Sequence, residues 1–600
     1  MLSLRYPFQG TAQAFGTYFL MSKKSNLIFL LGLVLLFATQ VIIAMQGFDV
    51  CDEGSKLTFF QQFFNDIGSV RYNFVHYISG ILGGVWYKLY PSGGILWFRL
   101  LTIIVQLSTL LVCYHFLKKF FDRKFIFFGL CIAFFLNDFG FLAFYHNHLT
   151  AFINALVVVV LFNALKKESK KHFLAAGILV GINVFVRIPN LLLISFGLVL
   201  FFNKLFVRNH LSWSTTFRFL SFYGLGVLIG FFVVFILQLA LGHLSLMKEA
   251  IATLFQFSQA TDSDHNLLRM IKIELFNYYT ITKFMAVLLF LAVVFSFCFK
   301  KICNYKPLVV VLYVVLFFVF SFLIFNGGIR FVYAFCTLIL TYVLLSKKEN
   351  DAFRLLAFLS LLMMYVTPLG SSEGIYNTGY ICLWIAMPFS IVFLATKLSF
   401  NSPFISISIN QKPFRLFVLV FVGAALMTKA YLIAYNAYFD YGPRWHKTHA
   451  IDSDFAKGIY TTKEKADIIN DLLEVLPNFV KPGDLLLTYD SIPMIHFFTQ
   501  TRPFMYNPWV WIYDGYSFSK QLDKAVKERP YLPVVIQQKF ETIGGFGEPN
   551  PYYLREDKTR DVYSYNVERV KAFNQFISDH QYSISWSNTY FNIYEVHPEN

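Results

Sequence analysis

The stretch LIFLLGLVLLFATQVIIAM, residues Leu27–Met45, is followed after one glutamine by GFDVCDEGSKL, residues Gly47–Leu57. The first segment is apolar and about 20 residues long, the length that a helix needs to cross a bilayer. Two lysines precede it, and no small-x-small cleavage site separates it from the acids that follow. We therefore predict an uncleaved signal anchor with a cytoplasmic N-terminus, and an outer loop that begins with Asp49, Asp52 and Glu53.

The composition extends this assignment to the whole chain. Of its 600 residues, 56% are hydrophobic and only 14% are charged, and the mean hydropathy of +0.55 is too high for a soluble globular protein. The formal net charge of +16 comes from lysines and arginines in short clusters between the apolar runs. Charge in this arrangement sets membrane topology, so we expect a polytopic membrane protein and no nucleic acid partner.

Apolar runs recur as far as residue 435, and we count about thirteen predicted spans, several of them short or broken. In chain order they are Leu27–Met45, Gly94–Leu117, Phe125–Phe144, Leu149–Leu165, Phe173–Phe185, Ile188–Phe202, Phe219–Leu241, Phe284–Phe299, Leu308–Phe325, Phe331–Leu345, Leu355–Val366, Ile381–Leu394 and Leu416–Tyr435. Basic clusters occupy every second loop, and such loops stay in the cytoplasm. An odd number of spans then places everything after Tyr435 outside.

Three regions on the predicted outer side are large enough to carry a function. They are Gly47–Gly93, Gly242–Lys283 and Asn436–Asn600, whereas the predicted cytoplasmic loops are short and basic. We expect a transmembrane domain over residues 1–435, a periplasmic α/β domain over residues 436–600, and a functional site on the outer face.

The tail after Tyr435 is rich in turn residues and mixed charge, which predicts a small α/β domain. The predicted helices are one with a capping-box start at Thr461–Glu464 that ends near Leu476, one opened by Pro493, and Asn566–Ser578. The predicted strands are Asp484–Tyr489, Leu532–Gln537, Tyr582–Trp586 and Tyr590–Val596.

Two interpretations fit the acids of the first outer loop. In one, Asp52 caps a helix from Glu53 to about Asn65, and Glu53 is stabilised in its first turn by the helix dipole. In the other, a carboxylate held at the junction of a span and an interfacial helix acts as a general base. The two roles do not exclude each other.

A transferase on the outer face has no supply of nucleotide-activated sugars, so its donor must arrive through the membrane on a lipid such as a polyprenyl phosphate. That donor already contains a good leaving group. The chemistry then needs a base that takes the acceptor proton and cations that hold the departing phosphate.

Two arginines are candidates for that second task. Arg187, in VFVRIPNLL, lies at a break between two short apolar runs, and Arg330, in FNGGIRFVY, follows a two-glycine turn. The planar guanidinium suits phosphate because it donates parallel hydrogen bonds. The alternative for Arg187 is an arginine that extends to the interface and closes a helical hairpin. Tyr333, three residues after Arg330, is a further candidate for substrate binding.

The outer loop AFYHNHLT contains His146, Asn147 and His148. Histidines two residues apart do not share a helix face, so they predict a polar helix cap, or a contact to the sugar or to a carboxylate-bound cation. Asp262–His265, DSDH, predicts a loop cap rather than a DxD metal motif, because no nucleotide is present outside. Glu373, in TPLGSSEGIYNTGY, lies in a loop that predicts either sugar or phosphate contacts or a plain re-entrant turn.

Four motifs together resemble those of the GT-C fold glycosyltransferases that use lipid-phosphate sugars, among them protein O-mannosyltransferases and the aminoarabinose transferase of lipid A. The motifs are VCDEGSKLTFFQQFF, VRIPNLL, GGIRFVY and YDSIPMIHFFTQTRPF. The resemblance covers most of the chain and lies in motif order and topology. It implies that Asp52, with Asp49 and Glu53 as near alternatives, is the catalytic base or a metal-associated acid, and that Arg187 and Arg330 hold the lipid phosphate.

We therefore expect an inverting transferase that moves a sugar from a polyprenyl-phosphate donor to a glycan, lipid or protein acceptor, in contact with the lipids of a bacterial inner membrane. A divalent metal cation as cofactor stays open, because the AFYHNHLT loop lacks the second acid of some relatives, although Asp138 lies shortly before it. The alternatives are a polysaccharide polymerase or ligase acting on lipid-linked glycans, and a transporter or flippase. A transporter would place ionisable residues deep within several spans, which carry almost no charge here.

Overall fold

The computed structural model describes residues 12–259, 267–396, 411–540 and 566–596. Up to residue 435 the described chain is helical. Its α-helices are α1 (Ala12–Ala44), α2 (Asp52–Gln62), α3 (Tyr77–Leu89), α4 (Gly94–Leu117), α5 (Arg123–Phe134), α6 (His146–Lys167), α7 (Lys170–Val184), α8 (Leu198–Phe202), α9 (Trp213–Ala240), α10 (Leu244–Gln259), α11 (Leu267–Ile302), α12 (Lys306–Leu345), α13 (Asp351–Val366), α14 (Ile375–Thr378), α15 (Ala386–Thr396) and α16 (Gln411–Tyr435).

Eight helical segments in these described ranges are long and apolar enough to cross a membrane, or nine if the bent pair Ile375–Cys382 and Ala386–Thr396 is one span. The chain is thus a helical membrane protein, and the predicted count of thirteen spans is not confirmed. Two predicted runs join in α12, which contains 40 residues and a break in helical geometry at Gly328. Three others form helices of only 12 to 16 residues, namely α5, α7 and α13.

Helices α7 and α9 pack with their backbones in direct contact. A Cβ atom built on Gly177 would lie 2.0 Å from the carbonyl oxygen of Tyr223, and one on Gly226 would lie 2.2 Å from that of Leu174. Four residues further along each helix, Gly181 and Gly230 repeat the arrangement. Small residues at this spacing let helices approach closely in a bilayer, where lipid tails remove the hydrophobic drive for packing.

The tail forms a five-stranded sheet with helices on it. Its elements are β1 (Asn436–Ala437), β2 (Asp440–Tyr441), β3 (His449–Ala450), β4 (Tyr460–Thr461), α17 (Lys463–Val475), β5 (Leu485–Tyr489), α18 (Met494–Thr499), β6 (Arg502–Pro503), α19 (Gly515–Glu528), β7 (Val534–Gln538), α20 (Val567–Asp579), β8 (Tyr582–Ser587) and β9 (Phe591–Val596). The sheet order is β6-β5-β7-β9-β8, parallel from β6 to β7 and antiparallel from β7 to β8. Every predicted helix and strand of the tail is confirmed, although Thr462 makes no side-chain cap bond.

The tail packs directly on α2 through α18. A Cβ atom on Gly54 would lie 2.3 Å from the backbone nitrogen of Met494, so the two backbones touch. Side chains of α2 complete the contact: Thr58 donates a hydrogen bond to the carbonyl of Pro493 at 3.2 Å, and Gln61 donates one to that of Phe497 at 3.1 Å. Helix α2 is therefore held between the membrane helices and the tail.

The glycine contact between α7 and α9 predicts a position-specific effect on stability. Gly226→Ala should lower the free energy of unfolding by about 1–3 kcal/mol, because the added methyl group has no space against Leu174. Thermal unfolding of the solubilised protein measures this. Gly224→Ala is the matched control on the same helix, since a Cβ atom there meets nothing within 4 Å; an equal loss in both variants would contradict the close packing.

Candidate active site

The three acids that follow α1 have three different environments, and Asp49 caps α2. Its Oδ1 accepts a hydrogen bond from the backbone N–H of Cys51 at 2.7 Å, and its Oδ2 accepts one from that of Glu53 at 2.8 Å. Such bonds satisfy the free N–H groups at a helix start. The prediction that Asp52 is the cap is wrong, because the helix begins at Asp52 itself. Burial, with the charges of Asp52 and Glu53, raises the pKa of Asp49 well above its usual range.

Glu53 is buried in an ion pair with Arg99 of α4. Arg99 Nε donates to Oε1 at 2.8 Å and Nη2 donates to Oε2 at 2.5 Å, a bidentate arrangement. The same guanidinium donates to the carbonyls of Ala44 and Gly47, at the end of α1. Both oxygens of Glu53 are engaged by Arg99, so this carboxylate fixes the loop to α4.

Asp52 is half-buried and keeps one carboxylate oxygen open. Its Oδ2 accepts a hydrogen bond from the Tyr438 hydroxyl at 2.5 Å, across 386 positions of sequence. No hydrogen bond to Oδ1 is seen from any described residue. Of the three acids, Asp52 alone therefore presents an oxygen that can accept a proton from a substrate.

Lys56 follows Asp52 by one helical turn, so the two side chains lie on the same face of α2. Burial lowers the pKa of Lys56, while the charges of Asp52 and Asp49 act in the opposite direction. The positive charge of Lys56 also acts on His76.

His76 and His146 form a stacked pair next to Lys56. Their ring centroids are 3.8 Å apart and the planes differ by 9°. Burial, with the charges of Lys56 and Arg187, lowers the pKa of His76 well below its ordinary value, although a hydrogen bond to the Val186 backbone opposes this. The Nδ1 atoms of both rings are buried and have no partner among the described residues.

Arg187 is 4% exposed, and no described acid forms an ion pair with it. Its Nη2 donates to the carbonyls of Thr367 at 2.7 Å and Leu369 at 3.3 Å, while its buried Nε has no partner in the described ranges. An amide network fixes that loop, because Asn183 donates to Asn154, which donates to the Thr367 hydroxyl. A buried guanidinium without a carboxylate is a site prepared for an anion.

Tyr145 lies within electrostatic reach of both Asp52 and Arg187. Its hydroxyl shares a hydrogen bond of 2.7 Å with that of Tyr380. Burial raises the pKa of Tyr145 to about 12; the charge of Asp52 acts in the same direction and that of Arg187 in the opposite one. Both charges reach this hydroxyl, so Asp52 and Arg187 lie in the same region of the structure. We call the group formed by Asp52, Lys56, His76, Tyr145, His146 and Arg187 the acid–cation cluster.

Arg330 lies outside this cluster. Its Nε donates to Asn277 at 2.7 Å, and its guanidinium carbon is 4.7 Å from the ring centroid of Tyr376. Asn277 also donates to the carbonyl of Glu373 at 3.1 Å. Arg330 and Arg187 therefore hold opposite ends of the loop between α13 and α14. The half-buried side chain of Glu373 lies at the Arg330 end of that loop.

The remaining candidates are placed around the cluster. Asn147 donates to the Tyr380 hydroxyl at 3.4 Å. His148 turns away from His146 and lines a small buried cavity with Tyr380. Tyr333 is buried, and its hydroxyl donates to two backbone carbonyls at 3.1 and 3.3 Å. The motif Asp262–His265 lies outside the described residues.

The side chains present do not form a set of metal ligands. In the described part of the chain no group of three or more His, Cys, Asp or Glu side chains is arranged to hold a metal ion. The stacking of His76 on His146 keeps their ring nitrogens in parallel planes, and both oxygens of Asp49 are taken by backbone N–H groups. We therefore derive no step through a metal.

Four residues at or beside the cluster were missed in the sequence: Lys56, His76, Arg99 and Tyr438. The spacing of Lys56 from Asp52 was a usable signal, because four residues are one turn of the predicted helix. The other three reach the first loop from separate elements, and nothing local in their sequence indicates the contact.

Comparisons with known proteins find similarity among solved structures. No protein family model matches the chain, and no curated protein matches it. Among solved structures, the oligosaccharyltransferase of Archaeoglobus fulgidus, crystallised with zinc and sulfate, is similar with a TM-score of 0.42 and 13% identity over 84% of this chain and 68% of that one.

The different surroundings of Glu53 and Asp52 predict different effects on stability. Glu53→Gln should lower the free energy of unfolding by about 3–5 kcal/mol, because it leaves the buried Arg99 without its counter-charge. Asp52→Asn should change it by less than about 1 kcal/mol, since a half-buried amide still accepts the Tyr438 bond. Thermal unfolding of both variants is the measurement; equal destabilisation would contradict the division of roles.

Proposed function

We propose that this chain is an integral-membrane inverting glycosyltransferase that moves a sugar from a polyprenyl-phosphate donor to an acceptor on the outer, periplasmic face of a bacterial inner membrane. One observation carries it: a carboxylate with an open oxygen, Asp52, and a buried arginine without a counter-charge among the described residues, Arg187, both lie within electrostatic reach of Tyr145.

Asp52 is the general base of the transfer. Its open oxygen takes the proton of an acceptor hydroxyl, and the acceptor oxygen attacks the anomeric carbon from the side opposite the phosphate. The bond between the anomeric carbon and the phosphate oxygen breaks, and its electron pair stays on that oxygen. A single displacement of this kind inverts the configuration of the sugar.

The cations of the cluster receive the phosphate. Its charge grows as the bond breaks, so positive groups fixed in advance stabilise the transition state more than the ground state. Arg187 offers unused donors, Lys56 adds a second positive charge, and the orphaned Nδ1 atoms of His76 and His146 lie beside them. We give Arg330 the role of holding the loop from the other end rather than that of a direct phosphate ligand.

The membrane placement belongs to the same proposal. The N-terminus and the basic loops are cytoplasmic, residues 1–435 form the transmembrane domain, and residues 436–600 form the periplasmic domain. The open donor positions of the acid–cation cluster then lie at the outer surface, where a lipid-borne sugar is delivered. The acceptor is a glycan, a lipid or a protein.

The direct test is a transfer assay on the purified chain in lipid vesicles. We expect release of free polyprenyl phosphate from at least one member of a panel of radiolabelled polyprenyl-phosphate sugars, with an envelope extract of the source cells as acceptor. Asp52→Asn should lower this release by about 10²–10⁴-fold, the usual contribution of a general base.

Asp66→Asn is the matched control, because Asp66 belongs to the same outer region and its side chain pairs with Arg502 of the tail at 3.5 Å. It should keep the activity of the unchanged chain. Full turnover by Asp52→Asn, or release from no donor of the panel, would overturn the proposal.

A further inference from the structure

Tyr438 is the one described side chain of the tail that donates a hydrogen bond to Asp52. It lies in the turn between β1 and β2, directly after α16. Its ring contacts Phe139 edge-on at 5.1 Å and stacks on Phe439 at 4.4 Å, and its hydroxyl reaches Asp52 Oδ2 at 2.5 Å. Two ring contacts and one hydrogen bond leave this side chain a single orientation.

The hairpin that carries Tyr438 is itself fixed to the first outer loop. Asp440 accepts hydrogen bonds at its Oδ2 from the backbone N–H of Phe48 and from the Thr461 hydroxyl, both at 2.8 Å. Its Oδ1 is paired with Lys447 and Lys465. Although burial opposes it, these two lysines lower the pKa of Asp440. The acid stays charged, and the hairpin cannot shift without breaking this network.

Arg444 is a second residue that fixes this hairpin, and it attaches the hairpin to the membrane helices. Its guanidinium donates to the carbonyls of Ile433, Ile43, Gln46 and Phe139. The end of α16 and the end of α1 are therefore joined through one side chain, and the position of Tyr438 relative to Asp52 is set by both.

A hydrogen bond from a hydroxyl to one carboxylate oxygen has two consequences. It fixes the rotation of the carboxyl group, and it favours the charged form, which lowers proton affinity. The other groups that act electrostatically with Asp52 are Asp49, Lys56 and Tyr145, and none of them donates a side-chain hydrogen bond to it in the described ranges.

We propose that Tyr438 is the positioning residue of the transfer, which holds Oδ2 of Asp52 so that Oδ1 alone takes the acceptor proton. The tail then contributes to the reaction by orienting the base, even though the base itself belongs to the first outer loop. This role rests on the proposed function, since it presumes that Asp52 is the base.

The test compares Tyr438→Phe with Tyr441→Phe in the transfer assay. Tyr441 is exposed, lies in the same hairpin, and its hydroxyl makes no hydrogen bond to a described residue. Tyr438→Phe should lower kcat about tenfold with KM for the donor unchanged, and should move the acid limb of the pH profile upward by roughly 1 pH unit, because the charged form of Asp52 loses a bond that favours it. Tyr441→Phe should leave all three unchanged.

A fluorinated tyrosine at position 438 keeps the ring and its contacts and donates a stronger hydrogen bond. It should move the acid limb in the opposite direction, to lower pH, which an effect on folding alone would not do. Equal profiles for Tyr438→Phe and Tyr441→Phe, or the same direction of shift for phenylalanine and fluorotyrosine, would overturn the positioning role.

An infrared titration separates this inference from the proposed function. The carboxylate band of Asp52, taken as the difference between the unchanged chain and Asp52→Asn, should titrate at higher pH in Tyr438→Phe. If no donor supports transfer, the proposed function fails. The titration then still tests whether Tyr438 donates a hydrogen bond to Asp52. If transfer is present and the titration does not shift, only the role of Tyr438 fails.

Discussion

The contact of the tail with α2 is the constraint on which the site depends. The backbones of Gly54 and Met494 touch, so no side chain other than hydrogen fits at position 54. Around this point the donors of α2 are matched to carbonyls of the tail, and Asp52 is matched to Tyr438. A helix of 11 residues alone would be marginal in water, and the burial of α2 between the membrane helices and the tail gives the acid a fixed position.

The buried charges near the site differ in whether they have a partner of opposite charge. Glu53 neutralises Arg99, and Asp440 is matched by two lysines, so these buried charges stabilise the junction between the first loop and the tail. Arg187 has only carbonyls as described partners. An isolated buried cation is costly, so the lack of a described acid beside Arg187 is what the proposed phosphate-binding role rests on.

The sequence predicts the tail well and the membrane part less well. Strands such as Asp484–Tyr489 have a strong local pattern, and the observed β5 follows it. Apolar runs, by contrast, do not reveal whether a break such as Gly328 separates two spans or bends one helix. The close packing of α7 on α9 depends on which glycines face each other. The hydropathy of an apolar run does not show this.

What the sequence can predict is limited in the same way for the single acids Asp49, Asp52 and Glu53. The cluster of acids is visible in GFDVCDEGSKL, but which of them keeps an open oxygen is decided by Arg99 and Tyr438, both remote in sequence. Long-range partners of this kind leave no local signal in one chain. The sequence singles out Arg187 as a candidate because an arginine at a break between apolar runs is costly and therefore informative.

The most direct measurement of the central claim is an electron cryo-microscopy structure of the full chain in lipid nanodiscs with bound polyprenyl phosphate. The account predicts that the phosphate lies beside Arg187, Lys56 and the His76–His146 pair, with the open oxygen of Asp52 facing the same space. A phosphate bound at Arg330 and Tyr376, or one remote from both arginines, would contradict it.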